Sequence, residues 1–305
     1  MQFHQVISLV IKFNIIRGGK MRFEKYDSIS EFEKTTEKLL LKNEVENNLP
    51  LGIINGISNN PESFEDKEKA FLGLVRDGKD NINLITIMTP PNNIIVSGVG
   101  NQIGESIKEA IEFLITHNIE VPGVIGVKDI ANEFAKQWAE TNNCIIKVHM
   151  DQRIYRLDKV NSIKKSSGKL RKATLKDIEL IAKWMGDFNI EAVDVELSEE
   201  ELINKAKDHI KNKKLYIWED EKPVSMVGKT RPTKNGIVIS YVFTPKEHRG
   251  KGYATTSVAT FSQMLLDEGY KYCSLYTDLS NSISNSIYMN IGYKPIVDSI
   301  VYNFK

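Results

Sequence analysis

Ile237-Val-Ile-Ser-Tyr-Val-Phe-Thr-Pro-Lys-Glu-His-Arg-Gly-Lys-Gly-Tyr-Ala254 is the stretch whose reading decides the fold. Its first half is rich in β-branched and aromatic residues and predicts a strand that Pro245 ends. Its second half opens an amphipathic helix that carries on through Val258, Phe261, Met264 and Leu265. A glycine-rich turn between a strand and a helix N-terminus is an anion site. The first N–H groups of the helix lack intrahelical acceptors, and the helix dipole adds about half a positive charge. Gly250 and Gly252 carry no Cβ, so a phosphate can approach the main chain closely. Arg249 and Lys251 add cationic side chains beside it. A diphosphate is the expected guest.

Spacing separates the families that use such a turn. A nucleoside-triphosphate loop needs Ser or Thr after Gly-Lys, whereas Gly252 follows Lys251. A dinucleotide fingerprint needs a third glycine at position 255, which is Thr. What remains, Arg-x-x-Gly-x-Ala on Arg249, Gly252 and Ala254, resembles the acyl-CoA loop of the GNAT N-acetyltransferase superfamily. A second motif follows downstream. Tyr272–Asp278 reads as a strand, and Asn281-Ser-Ile-Ser-Asn-Ser-Ile287-Tyr288-Met-Asn-Ile-Gly292-Tyr293 is similar to the GNAT pattern of Asn, small residue, aliphatic-Tyr pair and Gly-aromatic. Order and distance from the first motif also fit.

The resemblance implies a mixed α+β sheet of the GNAT acyl-CoA N-acyltransferase fold over Leu170–Lys305, with acetyl-CoA as co-substrate and an amine as acceptor. It implies cofactor contacts along Val242, Phe243, Thr244, Arg249, Gly250, Lys251, Gly252, Tyr253 and Ala254, and from Asn281 and Tyr288. The thioester oxygen would meet a backbone N–H at Val242 or Phe243. Tyr288 would protonate the departing thiolate. Asn281 would bond the pantetheine arm, or cap the helix that follows it.

The general base is the weak point. Many members of the superfamily place a Glu on the central strand, yet Gly236–Thr244 holds no carboxylate. Asp278 is the candidate taken here, with Glu191 as a second. An amine with pKa about 10.4 costs about 4.6 kcal/mol to hold neutral at pH 7, so a base or desolvation must supply part of that. Retention of Tyr288 favours an enzyme; the missing Glu favours a non-catalytic acyl-CoA-binding sensor.

Outward from these motifs, 305 residues with 41% hydrophobic side chains suit two domains with ordinary cores. A net charge of +1 gives no electrostatic reason to expect nucleic acid or membrane as partner. Cys144 and Cys273, both in predicted strands, read as buried thiols of a reduced, cytoplasmic protein. Residues 1–20 end in Arg17-Gly-Gly-Lys20 directly before Met21 and read as a translated leader, with Met21 as the natural start.

Residues 21–160 are expected to form a first domain. Ser30 with Glu33 reads as a capping box, Leu49–Ile57 as a short apolar segment, and Asn83–Met88 and Ile94–Val99 as strands. The helix Gln102–Asn118, strand Val124–Val127, helix Lys128–Thr141 and strand Cys144–Met150 complete it. That order parallels the second half and suggests a degenerate GNAT-like copy. Its turn, Gly98-Val-Gly-Asn-Gln-Ile-Gly104, lacks Arg-Gly-x-Gly and reads as a tight turn without a cofactor. Asn161–Lys169 reads as a polar linker, with Arg171 and Lys172 in the solvated connector. Ser198–Lys213 reads as a charged helix.

Overall fold

The protein is described by a computed structural model covering residues 20–59, 70–193 and 195–305; the leader expected at the start lies outside these, apart from Lys20. Strands β1 (Arg22–Tyr26), β2 (Phe71–Arg76), β3 (Ile82–Met88), β4 (Ile94–Gly98), β5 (Gly123–Val127) and β6 (Ile146–Leu157) belong to the first half. Helices α1 (Ile29–Leu40), α2 (Asn48–Asn59), α3 (Ile103–Thr116) and α4 (Lys128–Asn142) accompany them. The second half supplies β7 (Lys169–Lys172), α5 (Ile178–Val193), α6 (Glu199–Lys211), β8 (Leu215–Asp220), β9 (Lys222–Thr230) and β10 (Gly236–Phe243). It ends with α7 (Tyr253–Asp267), β11 (Tyr272–Asp278), α8 (Ser282–Ile291) and β12 (Lys294–Phe304).

The strands of the described residues form one 12-stranded sheet in the order β1-β2-β3-β4-β5-β12-β6-β11-β10-β9-β8-β7. Read from the central β12–β6 pair outward, each half lists its strands in the same sequence. The halves are therefore two copies of one topology. Both parallel pairs, β4 with β5 and β10 with β11, fall at corresponding places, and each is bridged by one helix, α3 or α7. The outermost strands, β1 and β7, are short and charged, which suits unpaired edges.

The copies exchange their last strands. β12, from the end of the chain, sits between β5 and β6 and pairs with both. β6, from the middle, pairs with β11 along Gln152–Leu157. Hence the strand expected over Cys144–Met150 runs on to Leu157 and does not by itself complete the first half. Arg153 and Asp298 stand opposite each other in the β6–β12 ladder and form a two-pronged ion pair, 2.6 and 3.0 Å. β12 also reaches the first half's helices, where Phe304 stacks on Trp138 and Tyr302 donates to Asn132.

Other departures from expectation have local causes. The cap of α1 is Ser28, whose oxygen accepts from Glu31 N–H; Ser30 is the second residue of the helix. The segment Leu49–Ile57 is the helix α2. β1 shows no apolar alternation because it is an edge, and β2 shows none because it is buried on both faces. Cys144 precedes β6 and is half-buried, while Cys273 is buried in β11, where burial pushes its thiol up to about 12. Arg171 is no solvated connector: it holds Asp177 with two hydrogen bonds and pairs with Glu219. The linker is not free either. It packs along α7, with Ile163 in that helix's core, and Trp218 Nε1 donates to Ser167 O.

Candidate active site

β10 and β11 pair only at Gly236–Val238 with Tyr272–Ser274 and then part. At the same level β10 bulges. Ser240 pairs with Gly228 and Phe243 with Met226, so Tyr241 and Val242 together oppose one residue of β9. Tyr241 takes a left-handed φ of 50° to make this possible. The bulged main chain of Tyr241–Phe243 thus borders a gap in the sheet, with a regular ladder on neither side. This is where a sheet can admit the arm of an extended ligand and offer it backbone donors.

At the upper end of the gap the chain turns into α7. Gly250 and Gly252 both adopt φ of 78°, a left-handed conformation that costs other residues about 1 kcal/mol or more. Gly252 is the N-cap, so no side chain satisfies the helix start. Among the described residues, none of the six consecutive N–H groups from Gly250 to Thr255 has a protein acceptor. They and the dipole of a 15-residue helix form a cradle that suits a diphosphate. A Cβ at Gly250 would meet nothing within 4 Å, so the cradle is open there; one at Gly252 would come to 2.9 Å of Ser166 Oγ. Ser166 braces the turn from behind: its Oγ donates to Lys251 O and its N–H donates to Thr256 Oγ1.

The first half shows what happens when such a turn is filled from within. Asn83 O accepts the N–H groups of Val99 and Gly100, and Asn83 Oδ1 accepts those of Asn101 and Gln102, at 2.8–3.2 Å. A Cβ on Gly100 would lie 2.2 Å from that Oδ1. An internal amide oxygen occupies the place an anion would need.

The side chains named from sequence divide into those that border the gap and those that hold it. Val242 is half-buried against the α7 core, and Lys251 is exposed. Phe243 and Thr244 are buried, tied through Ser225 Oγ to Phe243 O and Thr244 Oγ1. Arg249 donates through Nε to Thr244 O and through a second nitrogen to Glu191 at 2.6 Å, so it clasps α5 to the end of β10. Glu191 also faces Lys246 at 3.9 Å. Tyr253 points inward and donates to Asp220, leaving only its N–H at the cradle. Ala254 sits half-buried in the first turn of α7.

Asn281 caps α8 through Ser284 N–H, the second of the two roles read for it. Asp278 accepts from the N–H and the Oγ of Ser280, both at 2.6 Å, which makes it the hinge of the β11–α8 turn. Tyr288 is buried in the core beneath α7 and α8, edge-on to Tyr293 at 5.9 Å. Burial pushes its phenol up to about 12, and among the described residues its hydroxyl has no hydrogen-bond partner. It keeps its proton at any physiological pH.

Sequence reading missed three residues here. Asn83 and Ser166 act through contacts between segments far apart in the chain, which no local pattern reveals. His209 of α6 lies edge-on to Tyr241 at 5.0 Å, directly behind the bulge, and its Nδ1 makes no hydrogen bond to the described residues, with Asp208 at 3.7 Å. Burial, helped by Lys214, pushes this imidazole down to about 4. The unfolded chain therefore binds a proton here that the folded one refuses, and stability should fall as pH drops from about 6.5 to about 4. The full loss approaches about 3 kcal/mol. Denaturant melts of wild type and His209→Asn at pH 7 and 4.5 should show a smaller acid loss in the variant. Equal losses would place the proton elsewhere.

Residues 169–294 match the acetyltransferase (GNAT) domain family. Among solved structures, a GNAT-family acetyltransferase from Colwellia psychrerythraea is 12% identical, with 93% of this chain and 100% of that one covered at a TM-score of 0.58. A GCN5-related N-acetyltransferase from Sphaerobacter thermophilus is 13% identical over 93% of this chain and 95% of its own, at 0.60. A tandem GNAT protein from the clavulanic acid biosynthesis pathway is 11% identical over 94% and 98%, at 0.56. No curated protein matches the chain. At such identities the structures speak for the fold alone, and they span both halves. No helix among the described residues is long and apolar enough to cross a membrane. Residues 169–294 thus match a GNAT acetyltransferase domain, and the sheet repeats the same strand order in its other half.

Proposed function

We propose that the second half transfers an acetyl group from acetyl-CoA to a primary amine of a small molecule or peptide. The observation that carries this reading is the run of six free N–H groups at Gly250–Thr255 beside a sheet that opens at the bulge. Acetyl-CoA, when bound, supplies the acyl group as a thioester; a C–N bond forms, the C–S bond breaks, and a proton from the amine ends on the thiol. The N–H groups of the turn hold the diphosphate, and Val242 or Phe243 N–H meets the carbonyl oxygen. Tyr288 holds a proton for the sulfur. Asn281 and Asp278 shape the turn at the head of α8, and the filled turn of the first half gives it no cofactor role.

One observation bears on the sensor reading. Glu191 is paired with two cations, and Asp278 takes both Ser280 hydrogen bonds on Oδ1, which leaves Asp278 Oδ2 as the carboxylate oxygen with no bond to the described residues. Free-thiol release from acetyl-CoA across a panel of amines separates the two: turnover above hydrolysis supports the enzyme, and CoA binding without turnover supports the sensor.

Gly250 gives a clean test of the cradle. Asp and Asn tolerate left-handed backbone best, and both fit the open space there. Gly250→Asp sets a carboxylate against the diphosphate and should raise the Kd for CoA by about 100-fold, or about 2.7 kcal/mol. Gly250→Asn, of equal size and no charge, should stay within about fivefold. Calorimetry giving the same Kd for both would move the diphosphate elsewhere.

A further inference from the structure

On the face of the sheet opposite α7 and α8, the gap between β10 and β11 has a second lining. Alternation puts Ile237, Ile239, Cys273 and Leu275 under those helices, so Val238, Ser240, Ser274 and Tyr276 face the other way. There the first half crosses over. Val45, just before α2, packs on Tyr272 and Tyr276, and Asn48 Nδ2 donates to Tyr276 Oη at 3.0 Å. α6 with His209 stands on the far side, against Tyr241. The cleft over the bulge therefore has one wall from each half.

Arg231 leads into this cleft from the end of β9. Its guanidinium lies over the ring of Tyr276, 5.1 Å from the centroid. No carboxylate among the described residues pairs with it, and its buried Nε has no acceptor. Burial depresses its affinity for the proton, with only Tyr276 acting against that. Other buried polar atoms of the same surroundings lack partners too: Ser240 Oγ, Ser274 Oγ and Asn48 Oδ1. The fold also makes room for this side chain at some cost. Arg231 takes a left-handed φ of 46°, and α2 passes it with Gly52, where a Cβ would come to 2.6 Å of the arginine Cβ and Cγ.

A half-buried cation without a counter-ion still costs stability, and a glycine in a helix interior costs about 1 kcal/mol more. Stability does not explain keeping both. An external anion does. Tyr276 lies two residues beyond the last β10–β11 pair, roughly 7 Å along the strand. A group held on Arg231 is thus within a short amine's length of the place where the strands part.

We infer that Arg231 anchors a carboxylate of the acceptor, so that the amine acetylated is a small amino acid or a similar carboxylate-bearing amine. This rests on the acyl-transfer reading for the amine, but not for the anion. Two assays on the full-length protein keep these apart. The probes are glycine, β-alanine, 4-aminobutyrate and glutamate, each against its carboxamide. One assay follows free thiol from acetyl-CoA; the other follows Tm with the same probes in the presence of CoA.

The carboxylates should exceed their carboxamides in kcat/KM by about 20-fold or more, since a site built around a charged partner rejects analogues that lack it. Arg231→Gln should close that gap by lowering the carboxylates, with the Kd for CoA unchanged. Its Tm should equal or exceed that of wild type, because an unpaired half-buried charge is gone. Gly52→Ala, which pushes the arginine stem aside without altering charge, should narrow the gap as well. If no amine turns over, a Tm rise with carboxylates that Arg231→Gln abolishes still upholds the anion site while acyl transfer fails. Three results would overturn the inference: no preference and no carboxylate-dependent Tm rise in wild type, a preference that survives Arg231→Gln, or a variant that melts several degrees lower and loses both probe classes equally.

Discussion

Ending the chain at Tyr293 is expected to unfold the first half as well as the second, although the residues removed lie more than 130 positions beyond the first half's last strand. β12 lies between β5 and β6 and joins them, and without it the sheet is split in two at that point. The first half would lose Ile300 from the core beneath α3 and α4, the Phe304–Trp138 stack and the bond from Ser299 Oγ to Gly126 O. The second half would lose the Arg153–Asp298 pair that registers β6, and with it the support of β11. Burying side chains such as Ile300 and Val301 is worth about 1.5–3 kcal/mol each, and a whole protein is stable by about 5–15. The ladder bonds add to that.

Hydrogen exchange should therefore show α3, α4 and β11 losing protection together. Ile300→Ala, a gentler lesion, should cost about 2–5 kcal/mol and show its largest exchange effect in α4. A truncated protein that keeps wild-type protection in α3 and α4 would mean that the first half stands alone, and the strand exchange would have little energetic weight.

That exchange also marks where sequence reading stops. The turn at Gly250–Gly252 is legible because its chemistry is local: two glycines, a strand before and a helix after, all within 18 residues. Asn281 and Gly292 are legible for the same reason, as cap and stop of one helix. The repeated order of helices and strands could be read from periodicity, and with it the fold class. Which strand neighbours which could not, since β12 and β6 have the alternation of any strand and carry no label for their partner. The site behaves likewise. Arg249 and Tyr253 look like ligands in sequence because their types suit a phosphate, yet each side chain turns to a protein carboxylate, Glu191 or Asp220. Arg231, before Pro232-Thr-Lys-Asn235, has nothing in its local pattern to set it apart. Only the crossing of α2 at Gly52 shows that it is enclosed.

Tyr288→Phe should lower kcat by about 10²–10³ while leaving CoA affinity and folding nearly unchanged. The ring packs against Tyr293 and the α7 core, and phenylalanine keeps that packing. The hydroxyl makes no bond to the described residues, so its removal should leave Tm within about 2 °C. A structural hydroxyl would instead cost about 1 kcal/mol or more and show in the melt. With its phenol pushed up to about 12, Tyr288 is a weaker acid than a thiol near 8.5, so it cannot hand over its proton in advance. On the acyl-transfer reading its contribution would come as the C–S bond lengthens, when sulfur gains charge and an O–H could meet it. The loss in Tyr288→Phe should therefore shrink with an acyl donor whose thiol is more acidic. The sign of the pH dependence follows as well. The neutral phenol is the useful form, so its help persists as pH rises to about 11, and any alkaline limb below that belongs to another group. A variant with wild-type kcat toward every accepted amine would remove Tyr288 from the chemistry, and an alkaline limb near pH 9 that vanishes in Tyr288→Phe would show a phenol far more acidic than its burial allows.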